Sequence, residues 1–163
     1  MLACKDDFLN QKECDFLISY FMKKKKIFTW ESTRLMRMID VPFYHLKVSS
    51  IWKKYIKTIE KDFPYLKLNH GEIVYWPNGS SKKIHTDMDI PSKNSVGSGI
   101  IDWTSVCYLN DNFEGGETVV DNQAIKPKKG RITLFNSKKL PHGVNKIYGK
   151  RYTLISWWTH VGK

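Results

Sequence analysis

The sequence predicts an α+β fold, mainly β, and two observations predict it. Two segments before residue 70 carry apolar side chains at helical spacing, whereas after Gly71 short alternating or β-branched runs follow one another between Gly, Asn and Pro. Helices first and strands after point to sheets rolled or sandwiched, with the helices packed outside one of them. A chain of 163 residues, 41% apolar and 13% aromatic, suffices for one domain with its own core.

Asn10 with Glu13 three residues later forms a capping-box pattern, and Cys14, Leu17, Ile18 and Phe21 then share a face. This predicts a helix over 10–22. Val48, Ile51, Trp52, Tyr55, Ile56 and Ile59 recur at three- and four-residue spacing, with Lys53, Lys54, Lys57 and Lys61 elsewhere on the turn, which predicts a second helix over 47–62. Its stripe reads as core. Lys23 to Lys26 and an ambiguous segment through Phe43 separate the two helices, so residues 1–70 read as helical support and 71–163 as a β core. Strands are expected over 72–76, 83–87, 103–109, 117–120, 131–136, 143–147 and 151–158. Residues 88–99, with Pro91, Gly97 and Gly99, read as a loop that is either a lid over substrate or a hairpin connection.

No apolar run of eighteen residues occurs, and the first seven residues carry no signal-like apolar segment, so a cytoplasmic protein without a membrane span is expected. Cys4, Cys14 and Cys107 lack CxxC or zinc-ribbon spacing and read as free thiols. The charge of +11, from 27 basic against 16 acidic residues, attracts anions in general. A solvated lysine-rich surface accounts for it, while nucleic acid and acidic peptides remain partners to test.

Chemistry is concentrated in His85-Thr86-Asp87, in His142, and in Arg151 nine residues later. In a strand, positions i and i+2 point to one side, so His85 and Asp87 can reach a single ion. A second imidazole from a distant strand completes two histidines and one carboxylate, a facial set that leaves three octahedral positions open for a non-heme Fe(II). The five histidines offer one rival pair, His70 and Glu72, with the same spacing. Gly71 between them suits a turn better than a rigid strand, which favours His85 and Asp87. His45 and His160 have no carboxylate two residues away.

From Tyr75 to Trp158 the sequence resembles the prolyl 4-hydroxylase group of the Fe(II)- and 2-oxoglutarate-dependent dioxygenases. The resemblance rests on Tyr75 ten residues before His85, His85-Thr86-Asp87, Tyr108-Leu109-Asn110, Gly115-Gly116-Glu117-Thr118, Pro127-Lys128-Lys129-Gly130-Arg131, Phe135-Asn136-Ser137, Leu140-Pro141-His142, and Gly149-Lys150-Arg151-Tyr152 leading to Trp157-Trp158. It covers about half of the chain, with 54 residues between Asp87 and His142. The resemblance implies a double-stranded β-helix, the jelly-roll barrel, with the N-terminal helices packed on one sheet. It also implies Fe(II) on His85, Asp87 and His142, with 2-oxoglutarate and O2 as co-substrates and room for ascorbate as an auxiliary reductant.

The distal carboxylate of 2-oxoglutarate is then expected on Arg151, whose planar fork makes two parallel charge-assisted bonds. Thr153 shares its strand face and is expected on the same carboxylate, Trp157 is expected to wall the pocket, and Thr118 to line it. Tyr75 and Tyr108 match family positions that contact the co-substrate or line its cavity, with core packing as the alternative for each. Collagen-type members carry lysine at the position of Arg151, which weighs against a collagen substrate. The resemblance implies hydroxylation of a prolyl residue in a peptide or protein. Oxidation of a nucleic-acid base, with Trp76 and Trp103 as stacking platforms, and a noncatalytic binding domain are the competing readings.

Overall fold

The computed structural model describes residues 2–24, 27–30, 33–38, 41, 44–87 and 102–161. Two helices and thirteen strands appear among them, in the order β1 (Leu2–Lys5), α1 (Gln11–Lys23), β2 (Phe28–Trp30), β3 (Thr33–Arg37), α2 (Leu46–Asp62), β4 (Leu66–Trp76), β5 (Lys82–His85), β6 (Trp103–Tyr108), β7 (Glu114–Gly115), β8 (Thr118–Val120), β9 (Gln123–Ile125), β10 (Ile132–Phe135), β11 (His142–Val144), β12 (Ile147–Tyr148) and β13 (Arg151–His160). The loop expected over 88–99 lies outside the described residues.

Seven strands form a major sheet in the order β1-β10-β6-β13-β4-β3-β2, and four form a minor sheet, β5-β11-β8-β9, with β12-β7 as a separate pair. Every pairing is antiparallel. The two sheets close on one another as the double-stranded β-helix, and both helices pack on the outer face of the major sheet. Alternation along β13 divides these roles. Tyr152, Leu154 and Trp158 join the helix-side core, whereas Ile155 packs against the inner clusters that hold Val106, Val120 and Val74.

Both helices begin and end close to where their sequence patterns place them. The Asn10 side chain accepts from the Glu13 backbone N–H at 2.9 Å while the Glu13 carboxylate accepts from Asn10 N–H at 2.9 Å, a complete capping box that satisfies two otherwise orphaned donors. Cys14, Leu17, Tyr20 and Phe21 of α1 and Val48, Ile51, Tyr55 and Ile59 of α2 are buried on the sheet. Each such anchor contributes about 1.5–3 kcal/mol where fully buried. A polar network stitches α2 to the sheet beneath it: the Tyr55 hydroxyl lies 2.9 Å from Ser105 Oγ, which lies 2.6 Å from Ser156 Oγ and accepts from Trp158 Nε1 at 2.9 Å. Burial pushes the Tyr55 phenol pKa up, and the hydroxyl stays protonated as a donor.

Residues 1–70, read as helical support, also contribute strands. β1, β2, β3 and the first five residues of β4 all belong to the major sheet. Gly71 lies within β4 rather than in a turn, and the reason is packing: a Cβ there would sit 2.3 Å from the Trp52 ring of α2. Among the described residues, no helix is long and apolar enough to cross a membrane.

Candidate active site

His85 and His142 are Cα partners across β5 and β11, and their rings stand 4.4 Å apart between centroids. β5 ends at His85, so Asp87 is not brought to them by the strand alternation that the sequence suggests. Instead the chain turns, and Asp87 N–H donates to the Ser137 carbonyl at 3.1 Å, which holds the carboxylate over the histidine pair. Asp87 Oδ1 lies 3.4 Å from His142 Nε2 and 3.9 Å from His85 Nε2, while Oδ2 accepts from Thr104 Oγ1 at 2.9 Å. Ligand atoms of all three residues lie within 4.8 Å of one another.

The second contacts of the imidazoles decide how they present themselves. His85 Nδ1 lies 2.9 Å from the Lys83 carbonyl and His142 Nδ1 lies 3.0 Å from the Leu140 carbonyl. A carbonyl only accepts, so each Nδ1 carries a proton and Nε2 of each ring is the atom that faces Asp87, drawn to the carboxylate while protonated and open to a metal once it is not. Burial raises the Asp87 pKa, but hydrogen bonding to His142 and Ser137 outweighs it and holds the carboxyl below its ordinary value. Two oriented imidazoles and an ionised carboxylate fit a divalent iron ion.

Arg151 opens β13 and is fully buried. Its Nη2 donates to Thr118 Oγ1 at 3.0 Å, yet Nε and Nη1 are buried with no hydrogen-bond partner. No carboxylate pairs with it among the described residues, and its neighbours are the rings of Trp76 and Tyr108, each 5.1 Å from the guanidinium. Burial accordingly depresses the Arg151 pKa. An uncompensated buried guanidinium is costly, and its idle Nε and Nη1 are donors that an anionic group in this pocket would satisfy. Gly116 (φ +65°) lets the β7–β8 turn lie over this cation, since a Cβ there would fall 3.2 Å from Arg151 Cδ.

Thr118 thus stands closer to the guanidinium than expected for a lining residue. The Tyr108 hydroxyl lies 2.8 Å from Thr118 Oγ1 and 3.0 Å from the Ile125 carbonyl, and it accepts from Thr118 N–H at 2.8 Å, so it braces the pocket wall. Thr153 shares the inner face, but its Oγ1 accepts from Trp76 Nε1 at 3.3 Å. Tyr75 is turned away: its Cα partner is Tyr152, the two rings are 5.0 Å apart, and it packs on the helix-side core. Trp76, one residue on and opposite Arg151, takes the place expected for Tyr75. Counting alternate residues back from Trp76 through Val74 to Glu72 would have found it. Nor do Trp76 and Trp103 form stacking platforms, being 5% and 8% exposed. Trp157 walls the other end of the inner face, six residues from Arg151, where its ring stacks on His70 at 4.4 Å. His70 and Glu72 do not join the His85, Asp87 and His142 group, the one of its kind among the described residues.

A sequence model of the 2OG-Fe(II) oxygenase superfamily matches residues 66–159. The chain belongs to this superfamily. The oxygenase is 39% identical over 67 residues to human Prolyl 3-hydroxylase 2, a match covering 36% of this chain and 10% of that protein. It is 25% identical to the probable prolyl 4-hydroxylase 3 of Arabidopsis thaliana over 209 aligned residues, covering 96% of this chain and 68% of that protein. The chain thus spans about a tenth of the length of the first relative and two thirds of the second. Among solved structures, the viral collagen prolyl hydroxylase of Paramecium Bursaria Chlorella virus-1, in its 2OG complex, superposes with TM-score 0.76 at 21% identity, covering 99% of this chain and 96% of that one. A Pseudomonas putida prolyl-4-hydroxylase superposes with TM-score 0.75 at 15% identity, covering 99% and 93%. These structures share the double-stranded β-helix with the oxygenase.

Proposed function

We propose that this oxygenase hydroxylates a prolyl residue of a peptide or protein, using Fe(II), 2-oxoglutarate and O2. One oxygen atom enters the C–H bond as hydroxyl and the other enters the carboxylate of succinate, as 2-oxoglutarate loses CO2. The observation that carries this reading is Arg151: a fully buried guanidinium with two idle donor nitrogens, bonded to Thr118 of β8, the strand that pairs with the β11 strand of His142. Prolyl hydroxylases among the curated relatives and the solved structures support the substrate class.

His85, Asp87 and His142 would hold the iron, which when bound supplies the oxidising chemistry. The chain's own part is positioning. Arg151 would take the distal carboxylate with N–H groups that the protein leaves unpaired, Thr118 fixes Nη2, and the rings of Trp76 and Tyr108 exclude water around the ion pair. Thr104 and Ser137 hold Asp87 in place for the metal. Three free cysteines, two of them buried, support a reducing cytoplasmic setting, in which ascorbate would keep iron ferrous.

The test is to incubate the protein anaerobically with Fe(II) and 2-oxoglutarate, look for the weak visible charge-transfer band of the chelate, then admit O2 and ascorbate and measure succinate. A peptide library read by mass spectrometry should show gain of one oxygen on proline-containing members. Absence of both the band and succinate would overturn the enzyme reading.

A further inference from the structure

The inner face of the major sheet continues past Trp157 onto β4, β3 and β2, and there it becomes charged. Thr104, which bonds Asp87, is the Cα partner of Trp157, and Trp157 is the partner of His70. The next row runs from Ile155 to Glu72 and then Arg37. His70 lies nearly parallel to the Trp157 ring, 12° apart, with Nδ1 2.8 Å from Asn69 Oδ1. Arg37 Nε stands 3.8 Å from Glu72 Oε1, and its guanidinium lies 5.8 Å from the Phe28 ring.

Exposure separates the two charges. The Glu72 side chain is 12% exposed and that of Arg37 42%, so the carboxylate supports the guanidinium from beneath while the guanidinium faces outward. At 3.8 Å the contact is an ion pair, too long for a hydrogen bond, and among the described residues the guanidinium has no closer carboxylate, so its fork suits bidentate contact with one from a partner. Across the opening, Lys83 shares its strand face with His85 by alternation and is exposed. The rim of the site is therefore cationic, on a chain that carries +11 overall.

We infer that Arg37, held by Glu72 and Phe28, binds an acidic side chain of the peptide substrate, with the His70–Trp157 stack as the flat wall between that carboxylate and the reacting residue. The inference rests on the oxygenase reading of the adjacent site and names the substrate class it takes. Arg37 lies three strands across and one same-face row along from Thr104, about 16 Å at the usual interstrand spacing and rise. An extended peptide rises about 3.3 Å per residue, and an arginine side chain spans part of the gap, so the acidic residue falls roughly two to four positions from the hydroxylated one. A nucleic acid fits this surface less well, since Trp76 and Trp103, the aromatic rings that could stack on its bases, are buried.

The experiment compares fluorescein-labelled proline peptides bearing Glu at each position up to four on either side with the same peptides bearing Gln, by anisotropy on wild type and Arg37→Gln, and by turnover. A matched single-stranded oligonucleotide serves as competitor. The Glu peptide of the correct spacing should bind about tenfold tighter than its Gln twin in low salt, with the preference shrinking as salt rises. Arg37→Gln should bring the twins within about twofold. Equal binding of the twins by wild type, an undiminished preference in Arg37→Gln, or displacement by the oligonucleotide in place of the peptide would each overturn the inference. Uncoupled succinate formation by wild type without peptide reports on the oxygenase reading separately. If succinate forms and the twins bind alike, the substrate inference alone falls; if it does not form, both fall.

Discussion

Arg151 Nη2 donates to Thr118 Oγ1 at 3.0 Å, and that same hydroxyl lies 2.8 Å from the phenol of Tyr108. Three residues from three different strands thus meet at one oxygen, and the guanidinium they hold still has two buried N–H groups without partners. Under the proposed function these are the donors that would meet the carboxylate of 2-oxoglutarate.

Replacing Arg151 by Met should therefore stabilise the ligand-free chain. The substitution removes a buried cation whose desolvation nothing among the described residues offsets with a counter-charge, against loss of one hydrogen bond and two ring contacts. A gain of about 1 kcal/mol corresponds to roughly 2–4 °C in a chain of this size. Thermal melts should show that rise, together with disappearance of the stabilisation that 2-oxoglutarate gives the wild type. In turnover, Arg151→Ala should chiefly raise the 2-oxoglutarate requirement.

Thr118→Val keeps the shape but removes the oxygen shared by Arg151 and Tyr108. A buried donor left without its partner costs about 1–3 kcal/mol, so chemical denaturation should report a loss in that range. The KM for 2-oxoglutarate should rise with it. Thr153→Val, whose hydroxyl accepts a single 3.3 Å bond from Trp76, should cost less in both measurements.

At Gly71 the prediction concerns the fold. Gly71→Ala places a Cβ 2.3 Å from the Trp52 ring, which is stacked on Tyr55 with centroids 5.2 Å apart and cannot retreat freely. Overpacking of this kind costs about 1–3 kcal/mol. Trp52→Leu should recover most of that in the double variant, a coupling that a denaturation cycle measures directly.

Acid sensitivity should centre on Asp6. Hydrogen bonds from Arg131 and then Lys128 hold its carboxyl well below the usual carboxylate range. A depressed folded-state pKa contributes stability that is present above the unfolded value, about 3.9, and lost as pH falls through the folded one. Asp6→Asn should therefore melt lower than wild type at neutral pH, and the gap should begin to narrow below about pH 4 and shrink further toward pH 2. Thermal melts from pH 2 to pH 7 check this.

The sequence made some of this molecule legible and hid the rest for physical reasons. The capping box at Asn10 and the stripe on α2 are local signals, and both helices follow them. His85, His142 and Arg151 were readable because their spacing is chemical rather than conformational. Asp87 reaches the histidines by another route than strand alternation: its placement comes from a contact with Ser137, fifty residues away, that no strand period encodes. Tyr75 packs on the helix-side core and Trp76 beside the Arg151 guanidinium, because in a strand one residue exchanges outer for inner face. β1, β2 and β3 are three to five residues long; β2 pairs with its neighbour β3, but β1 and β3 pair with β10 and β4 far along the chain, out of reach of any local pattern. Gly71 looked like a turn because the Trp52 ring that fills its missing side chain comes from a helix nineteen residues earlier.

The central claim is that His85, Asp87 and His142 hold one iron beside a pocket for 2-oxoglutarate. Anaerobic titration of the ligand-free protein with Fe(II) in the presence of 2-oxoglutarate, followed by the visible charge-transfer band, tests it most directly. The account predicts a band saturating at one iron per chain in the wild type and none in His85→Ala, Asp87→Ala or His142→Ala. A band that survives all three changes, or that is lost instead in His70→Ala and Glu72→Gln, would contradict it.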